Sequence, residues 1–284
     1  MLSIFFAVCA ATLYGGADFL GGLASRRSAV MPVMIFSQLA GSCMLVVILP
    51  WLPGASASIT DLLWGTVAGV GLGVGLMQLY QGLALGKMSL VAPLTAVLAV
   101  LVSALVGVLG GDRLSPAAFA GVALAVVAII LISQDGASKT ESEGDAARSP
   151  RTLAIALSAG LLIGVFFAAL KQSSAPSGLL PLLAARLTAL VVLGVIALSR
   201  QSSLRVGHNA AWLILLGGTL DVLANVLYVL AARLGMLTIV ASLTSLYPAS
   251  TIILARLVLG ERLRTIQIAG LSCAGIGVAL IGAG

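Results

Sequence analysis

GERL, residues 260–263, repeats GDRL, residues 111–114, at a distance of 149 residues (260 less 111) in a chain of 284. Carried along the rest of the sequence, the same offset sets Gly15 on Gly164, Pro32 on Pro181, Gly69 on Gly218, Gly86 on Gly235, and Ala120-Gly121 on Ala269-Gly270. A register that holds from near one end to near the other is hard to obtain from compositional bias. The chain therefore reads as an internal duplication.

What is duplicated follows from the residues between the turns. The sequence is 60% hydrophobic and 8% charged, with a mean hydropathy of +1.18. Soluble domains carry about 25% charged residues, so this surface is made for lipid. A spanning helix needs about 20 mostly apolar residues. Ten such runs are present: 2–23, 30–50, 62–85, 89–110, 116–134, 152–171, 179–199, 210–233, 237–259 and 265–283. They are too long and continuous for the alternating strands of a membrane barrel. One long polar stretch interrupts them, QDGASKTESEGDAARSPR at 134–151, which holds four of the nine acids and has no apolar periodicity. It divides the chain into a five-helix unit at 1–134, a linker at 135–151 and a second five-helix unit at 152–284. Five is odd, so the second unit enters the membrane upside down. The expected fold is an all-α integral membrane protein with ten transmembrane helices in two inverted five-helix repeats, a plan that secondary transporters use.

Two five-helix units, each closing on a Gly–acid–Arg–Leu turn before a glycine-bearing last helix, resemble the EamA-type carriers of the drug/metabolite transporter (DMT) superfamily. The resemblance covers the whole chain. VLGERLRTIQIAG, residues 258–270, carries it most strongly. GDRLSPAAFAG, residues 111–121, is the second copy, with Asp112 where the family usually has glutamate. The resemblance implies a carrier that exports a small metabolite, amino acid, nucleotide-type compound or drug. In the turns Gly111, Asp112 and Arg113, and Gly260, Glu261 and Arg262, read as architecture. Glycine ends one helix, and Ser115-Pro116 supplies N-cap and first-position chemistry for the next, as Thr265 does in the second unit.

Positive charge marks cytoplasmic loops. The odd-numbered connections hold Arg26, Arg27, Lys87, Lys139, Arg148, Arg151, Arg200, Arg205, Arg262 and Arg264, ten in all, against Arg113, Lys171 and Arg233 in the even-numbered ones. The expectation is a plasma (inner) membrane protein with odd connections inside and both termini outside. The first apolar run lacks a basic n-region and continues past any cleavage point, so it reads as a retained helix and not a signal peptide.

A carboxylate at the centre of a spanning helix costs roughly 2.5–3.5 kcal/mol on insertion scales, and an intramembrane ionisable residue is a site hypothesis by default. Asp18 lies on a small and polar stripe with Tyr14, Gly15, Gly21, Gly22 and Ser25. Asp221 lies on another with Gly217, Asn225 and Tyr228. Arg186 stands seven residues into the seventh run. One arginine cannot fully satisfy two aspartates, so at least one acid is free to exchange a proton. The opposing possibility is a neutral ion-pair network that only fixes packing. Asp18 resembles in position the first-helix acid with which four-helix relatives of the superfamily exchange protons for substrate, though it is aspartate here. Gln38, Gln78, Gln81, Ser242, Thr244, Ser245 and Tyr247 offer further hydrogen bonds, some of them to their own helix backbone. Pro93 and Pro248 would free backbone carbonyls in helices four and nine, either to line a cavity or only to kink the helix. The candidate substrate- and proton-binding set is Asp18, Tyr14, Arg186, Asp221, Asn225, Tyr228, Gln78 and Tyr247.

Several function classes drop out. Cys9, Cys43 and Cys273 show no CxxC spacing and read as apolar filler, so no metal site is expected. The only histidine, His208, is in a polar loop, so neither a Ser–His nor an HExxH site forms inside the membrane. QGLALGKM, residues 81–88, approaches a phosphate loop but lacks its first glycine and final Ser/Thr. The basic residues are scattered singly, which disfavours nucleic acid despite a net charge of +6. No enzyme activity and no cofactor are expected. The expected function is secondary active efflux of a small-molecule substrate across the lipid bilayer by alternating access, coupled to protons. The alternative is a non-transporting scaffold or receptor with a structural polar core. Oligomeric state is not legible.

Overall fold

The computed structural model describes residues 2–51, 55–109, 115–133, 150–234, 244, 246–261 and 265–283. Linker residues 135–149, Gly111, Asp112, Arg113, Arg262, Ser242 and Ser245 lie outside the described residues, whereas Pro150 and Arg151, expected in the linker, begin a helix.

Among the described residues ten α-helices follow one another: α1 Leu2–Arg27, α2 Val30–Ile48, α3 Ile59–Leu85, α4 Met88–Leu109, α5 Pro116–Ser133, α6 Pro150–Lys171, α7 Leu180–Ser199, α8 His208–Leu234, α9 Tyr247–Leu259 and α10 Thr265–Ala283. No strand occurs among the described residues. Six helices are long and apolar enough to cross a membrane, and Met88–Ser103, Phe119–Ala128, Tyr247–Leu259 and Ile268–Leu280 are shorter apolar helices. The apolar runs became helices because hydrocarbon offers no partner for a backbone N–H or C=O, and a helix satisfies both within one segment. Their lipid-facing side chains, such as Leu187, Val191, Val195 and Leu198 along α7, are correspondingly exposed.

Several boundaries differ from the sequence expectation, and α1 runs on to Arg27, four residues past its apolar run at 2–23. Helix α3 begins at Ile59, three residues before the apolar run, because Ser58 and Asp61 form a capping box that satisfies its first backbone donors. In the ninth helix Pro248 lies in the first turn of the described segment, where its missing N–H costs nothing. It does not interrupt that segment. Pro93, by contrast, is inside α4.

Glycine sets the packing. Without a hydrophobic drive between helices in lipid, close van der Waals approach decides which helices pair. On α3, Gly65, Gly69 and Gly73 lie against Pro181, Ala185 and Ala189 of α7, and Gly71 and Gly75 against Leu162, Ile163 and Phe166 of α6. One helix thus carries two glycine faces. A side chain at Gly69 would collide with the Ala185 carbonyl. Two glycines related by the 149-residue offset make equivalent contacts. Gly15 of α1 abuts Tyr247, Ser250 and Thr251 of α9, and its counterpart Gly164 of α6 abuts Ala99 and Val102 of α4. Both carbonyls accept a hydroxyl from the helix they meet, from Thr251 at 3.0 Å and from Ser103 at 3.2 Å.

The most extensive contacts define two four-helix groups and a peripheral pair. Helices α1, α2, α8 and α9 pack through α1–α8, α2–α8 and α1–α9. Helices α3, α4, α6 and α7 pack through α3–α6, α3–α7 and α4–α6, and α5 pairs with α10. Exchanging the first five helices for the last five turns one group into the other. Each group draws two helices from each half of the chain.

The connections segregate to two ends. At one, Arg26 in the last turn of α1, Gly86 between α3 and α4, and Glu261 after α9 are in contact. At the other, Ser56 before α3 donates to the Pro176 carbonyl between α6 and α7 at 3.0 Å. Odd-numbered connections thus meet odd, and even meet even, as alternating spans require.

Candidate functional site

Where the two four-helix groups meet, α2, α3, α7 and α8 enclose a small cavity lined by Met34, Ser37, Gln38, Leu76, Tyr80, Arg186 and Asp221. It has room for roughly one water molecule. Each lining residue is brought there by packing already described. Gly73 draws α3 onto α7, Gly218 of α8 lies on the Ser37 backbone of α2, and Gly217 sits over Ala17, Leu20 and Gly21 of α1.

Arg186 is the centre of the site. It is 2% exposed. Its Nη2 donates to the Asp221 carboxylate and its Nη1 to Gln38 Oε1 at 3.0 Å. Gly41 makes this possible, since a Cβ there would lie 2.6 Å from Nη1. Breaking such a buried pair costs roughly 3–5 kcal/mol, because it leaves one charge uncompensated. Two donors at the cavity remain without a partner among the described residues, Arg186 Nε and Gln38 Nε2. An unsatisfied buried donor costs about 1–3 kcal/mol, so both favour any oxygen that enters.

Asp18 is differently placed. It is half-buried on α1 and lies near Asp221, Tyr80 and Tyr247. It has no ion pair or hydrogen bond among the described residues, so the three-member Asp18–Asp221–Arg186 network is a pair plus a separate acid. Around it, Tyr14 and Tyr247 meet edge to face with ring centroids 6.2 Å apart, and the Tyr80 ring rests on Gly21.

The remaining expected residues diverge. Asn225 donates to its own helix, to the Asp221 carbonyl at 2.7 Å. Tyr228 packs beside Ala7 and Ala231. Gln78 is outside the cavity lining, and its Oε1 has no partner among the described residues. Sequence reasoning did not place Ser37, Tyr80 or Gly41 in the site, and named Gln38 only as a general hydrogen-bonding residue. None of the four is ionisable in the range that makes a membrane residue conspicuous.

Glu261 of the GERL turn does more than end a helix. Gly260 adopts a left-handed conformation with φ 66°, which a side chain rarely tolerates, and Glu261 N–H returns to the Ala255 carbonyl at 3.3 Å. The reversed chain aims the carboxylate at the start of α4. It accepts from Met88 N–H at 3.1 Å, Ser89 N–H at 2.9 Å and Ser89 Oγ at 2.7 Å. A carboxylate at a helix N-terminus is favoured by the unpaired N–H groups and the helix dipole. Arg26 Nη2 pairs with the same carboxylate at 3.3 Å, while its Nε donates to the Leu83 carbonyl at 3.1 Å and Nη2 to Gly86 at 2.7 Å.

A second carboxylate cluster stands at the opposite end. Asp61 accepts from Ser58 N–H and Oγ at 2.9 and 2.8 Å, and from Ser174 N–H and Oγ at 2.6 and 2.9 Å. It ties the start of α3 to the α6–α7 connection. No group of three or more metal-ligating side chains occurs among the described residues.

Comparison with known proteins agrees with this architecture. The EamA-like transporter family model matches residues 150–283. A search of curated proteins finds no match. Among solved structures 17 chains match, one of them a crystal structure titled only as a protein. It aligns over 95% of this chain and 95% of its own, at a TM-score of 0.59 and 15% identity. At that identity the likeness is one of fold.

Proposed function

Taking residues 150–283 as an EamA-like, DMT-type transporter unit, we propose that the whole chain is a secondary carrier for a small organic solute and works by alternating access. The observation that carries this reading is the Arg186–Asp221 pair. It spans the boundary between the two four-helix groups, beside a cavity with two donors that have no partner among the described residues, and next to an acid, Asp18, that no cation among them neutralises. A purely structural core would be expected to satisfy its own buried polar groups. Here the vacant donors suit a solute oxygen, and Asp18 suits a proton or a cationic group of the solute.

The units 1–134 and 152–284, joined by the linker 135–151, are the two repeats in this reading, inverted with respect to one another. The exchange symmetry of the helix contacts and of Gly15 with Gly164 supports it. The cationic end, with Arg26, Arg27, Lys87, Arg200 and Arg205, faces the cytoplasm of an inner membrane. Net transport is export driven by proton entry. The solute enters when the helix groups part, since the closed cavity is far smaller than a metabolite.

Purified protein in liposomes tests this. Under an imposed pH gradient, a metabolite panel should contain a solute whose uptake saturates and depends on the gradient. Flux that rises linearly without saturation would indicate a channel. No flux of any panel member, with folded protein, would favour the scaffold reading.

A further inference from the structure

We infer that Arg26 and Glu261 form a latch that closes the cationic end of the protein, and that releasing it opens the cavity to that side. The inference rests on the carrier reading above and goes beyond it.

Apart from their contact with each other, the side chains of the pair bond only across the boundary between the two helix groups. Glu261 follows α9 and grips the first turn of α4. Arg26 ends α1 and grips the last carbonyls around α3, at Leu83 and Gly86. Two members of one group thus hold two members of the other, and the Arg26–Glu261 contact makes them one unit. The Asp61 cluster at the opposite end is different in kind. Ser58 and Asp61 begin α3, and Ser174 joins α6 to α7, so those bonds stay within one group. The two clusters look alike in composition, yet only the Glu261 cluster is strained by relative motion of the groups.

The latch is also built to release. The Arg26 side chain is 27% exposed and the Glu261 side chain 9%, so water reaches the latch from the Arg26 side. Met88 is fully buried beneath it and packs on Gly22. Parting α4 from α1 at this level therefore uncovers the interior directly above the cavity wall formed by Tyr80.

Thiol accessibility tests the latch without a known solute. In a background with Cys9, Cys43 and Cys273 replaced, Ser37→Cys reports the cavity and Ser203→Cys marks the end bearing odd-numbered connections. An impermeant thiol reagent is applied to intact cells and to inside-out vesicles. Labelling at Ser37→Cys should become about tenfold faster in Glu261→Gln and Arg26→Ala, the scale set by losing charge-assisted hydrogen bonds. The rise should occur only on the side that labels Ser203→Cys. Ser89→Ala should give a smaller rise, and it carries the test if the other variants fail to fold. Unchanged labelling in folded variants overturns the latch, as does a rise from the opposite side. Because labelling needs no transport, faster labelling in a protein without flux would sink the carrier reading and leave the latch standing.

Discussion

Arg186 pairs with Asp221, and not with Asp18, although the two aspartates face the same interior. The choice follows from Gly41 and Gly218, which let α2 and α8 close around the guanidinium and hold it between Gln38 and Asp221. It gives the two acids separate roles, and each role has a consequence.

Asp221→Ala should lower thermal stability by roughly 3–5 kcal/mol, since Arg186 would remain buried without its counter-charge. The double variant Arg186→Met/Asp221→Leu should recover most of that loss, because an apolar pair of similar volume removes both desolvation costs. It should carry no flux. Unfolding in detergent and uptake in liposomes measure the two effects.

Asp18→Asn should change stability by about 1 kcal/mol or less, because no ion pair is broken. It should abolish accumulation driven by a pH gradient, while exchange down a solute gradient persists slowly. Normal pH-coupled flux in this variant would end the proton-site role for Asp18 and leave Asp221 as the next candidate.

Gly41→Ala should displace the Arg186 guanidinium, since the added Cβ meets Nη1 at 2.6 Å. Overpacking of this kind costs typically about 1–3 kcal/mol. Transport should fall more steeply than stability. An equal size change at Gly194, which has open space around it, should leave both unaltered.

Asp61→Ala should lower the unfolding temperature, because the hydrogen bonds that tie the start of α3 to the α6–α7 connection are lost. The solute affinity of the remaining folded protein should be unchanged, because these bonds lie within one helix group and away from the cavity. A shifted half-saturation concentration would contradict that separation.

Sidedness gives the last test. Ser203→Cys and Ala55→Cys lie in an odd-numbered and an even-numbered connection, both exposed. In intact cells an impermeant thiol reagent should reach Ala55→Cys and spare Ser203→Cys. The reverse pattern would invert the proposed orientation, and labelling of both from one side would refute alternating spans.

The helices were legible in the sequence because they are written in local terms. Twenty apolar residues in lipid have one stable backbone solution. Asp18, Asp221 and Arg186 were legible too, since a charge inside an apolar run is conspicuous through its insertion cost. Which of them pair was not. Arg186 lies 168 residues from Asp18 (186 less 18) and 35 from Asp221 (221 less 186), and neither separation favours a partner. Only the crossing of α2, α3, α7 and α8, set by close contacts at Gly41, Gly69 and Gly218, decides it. Ser37, Gln38 and Tyr80 joined the site for the same reason, as neutral side chains whose cost appears only once a neighbouring helix removes their alternatives. The GERL turn divides along the same line. Its glycine announced a helix end in the sequence. That Glu261 then reaches α4, 173 residues away, depends on where α9 and α4 stand in the folded protein, and the chain alone holds no local term for that distance.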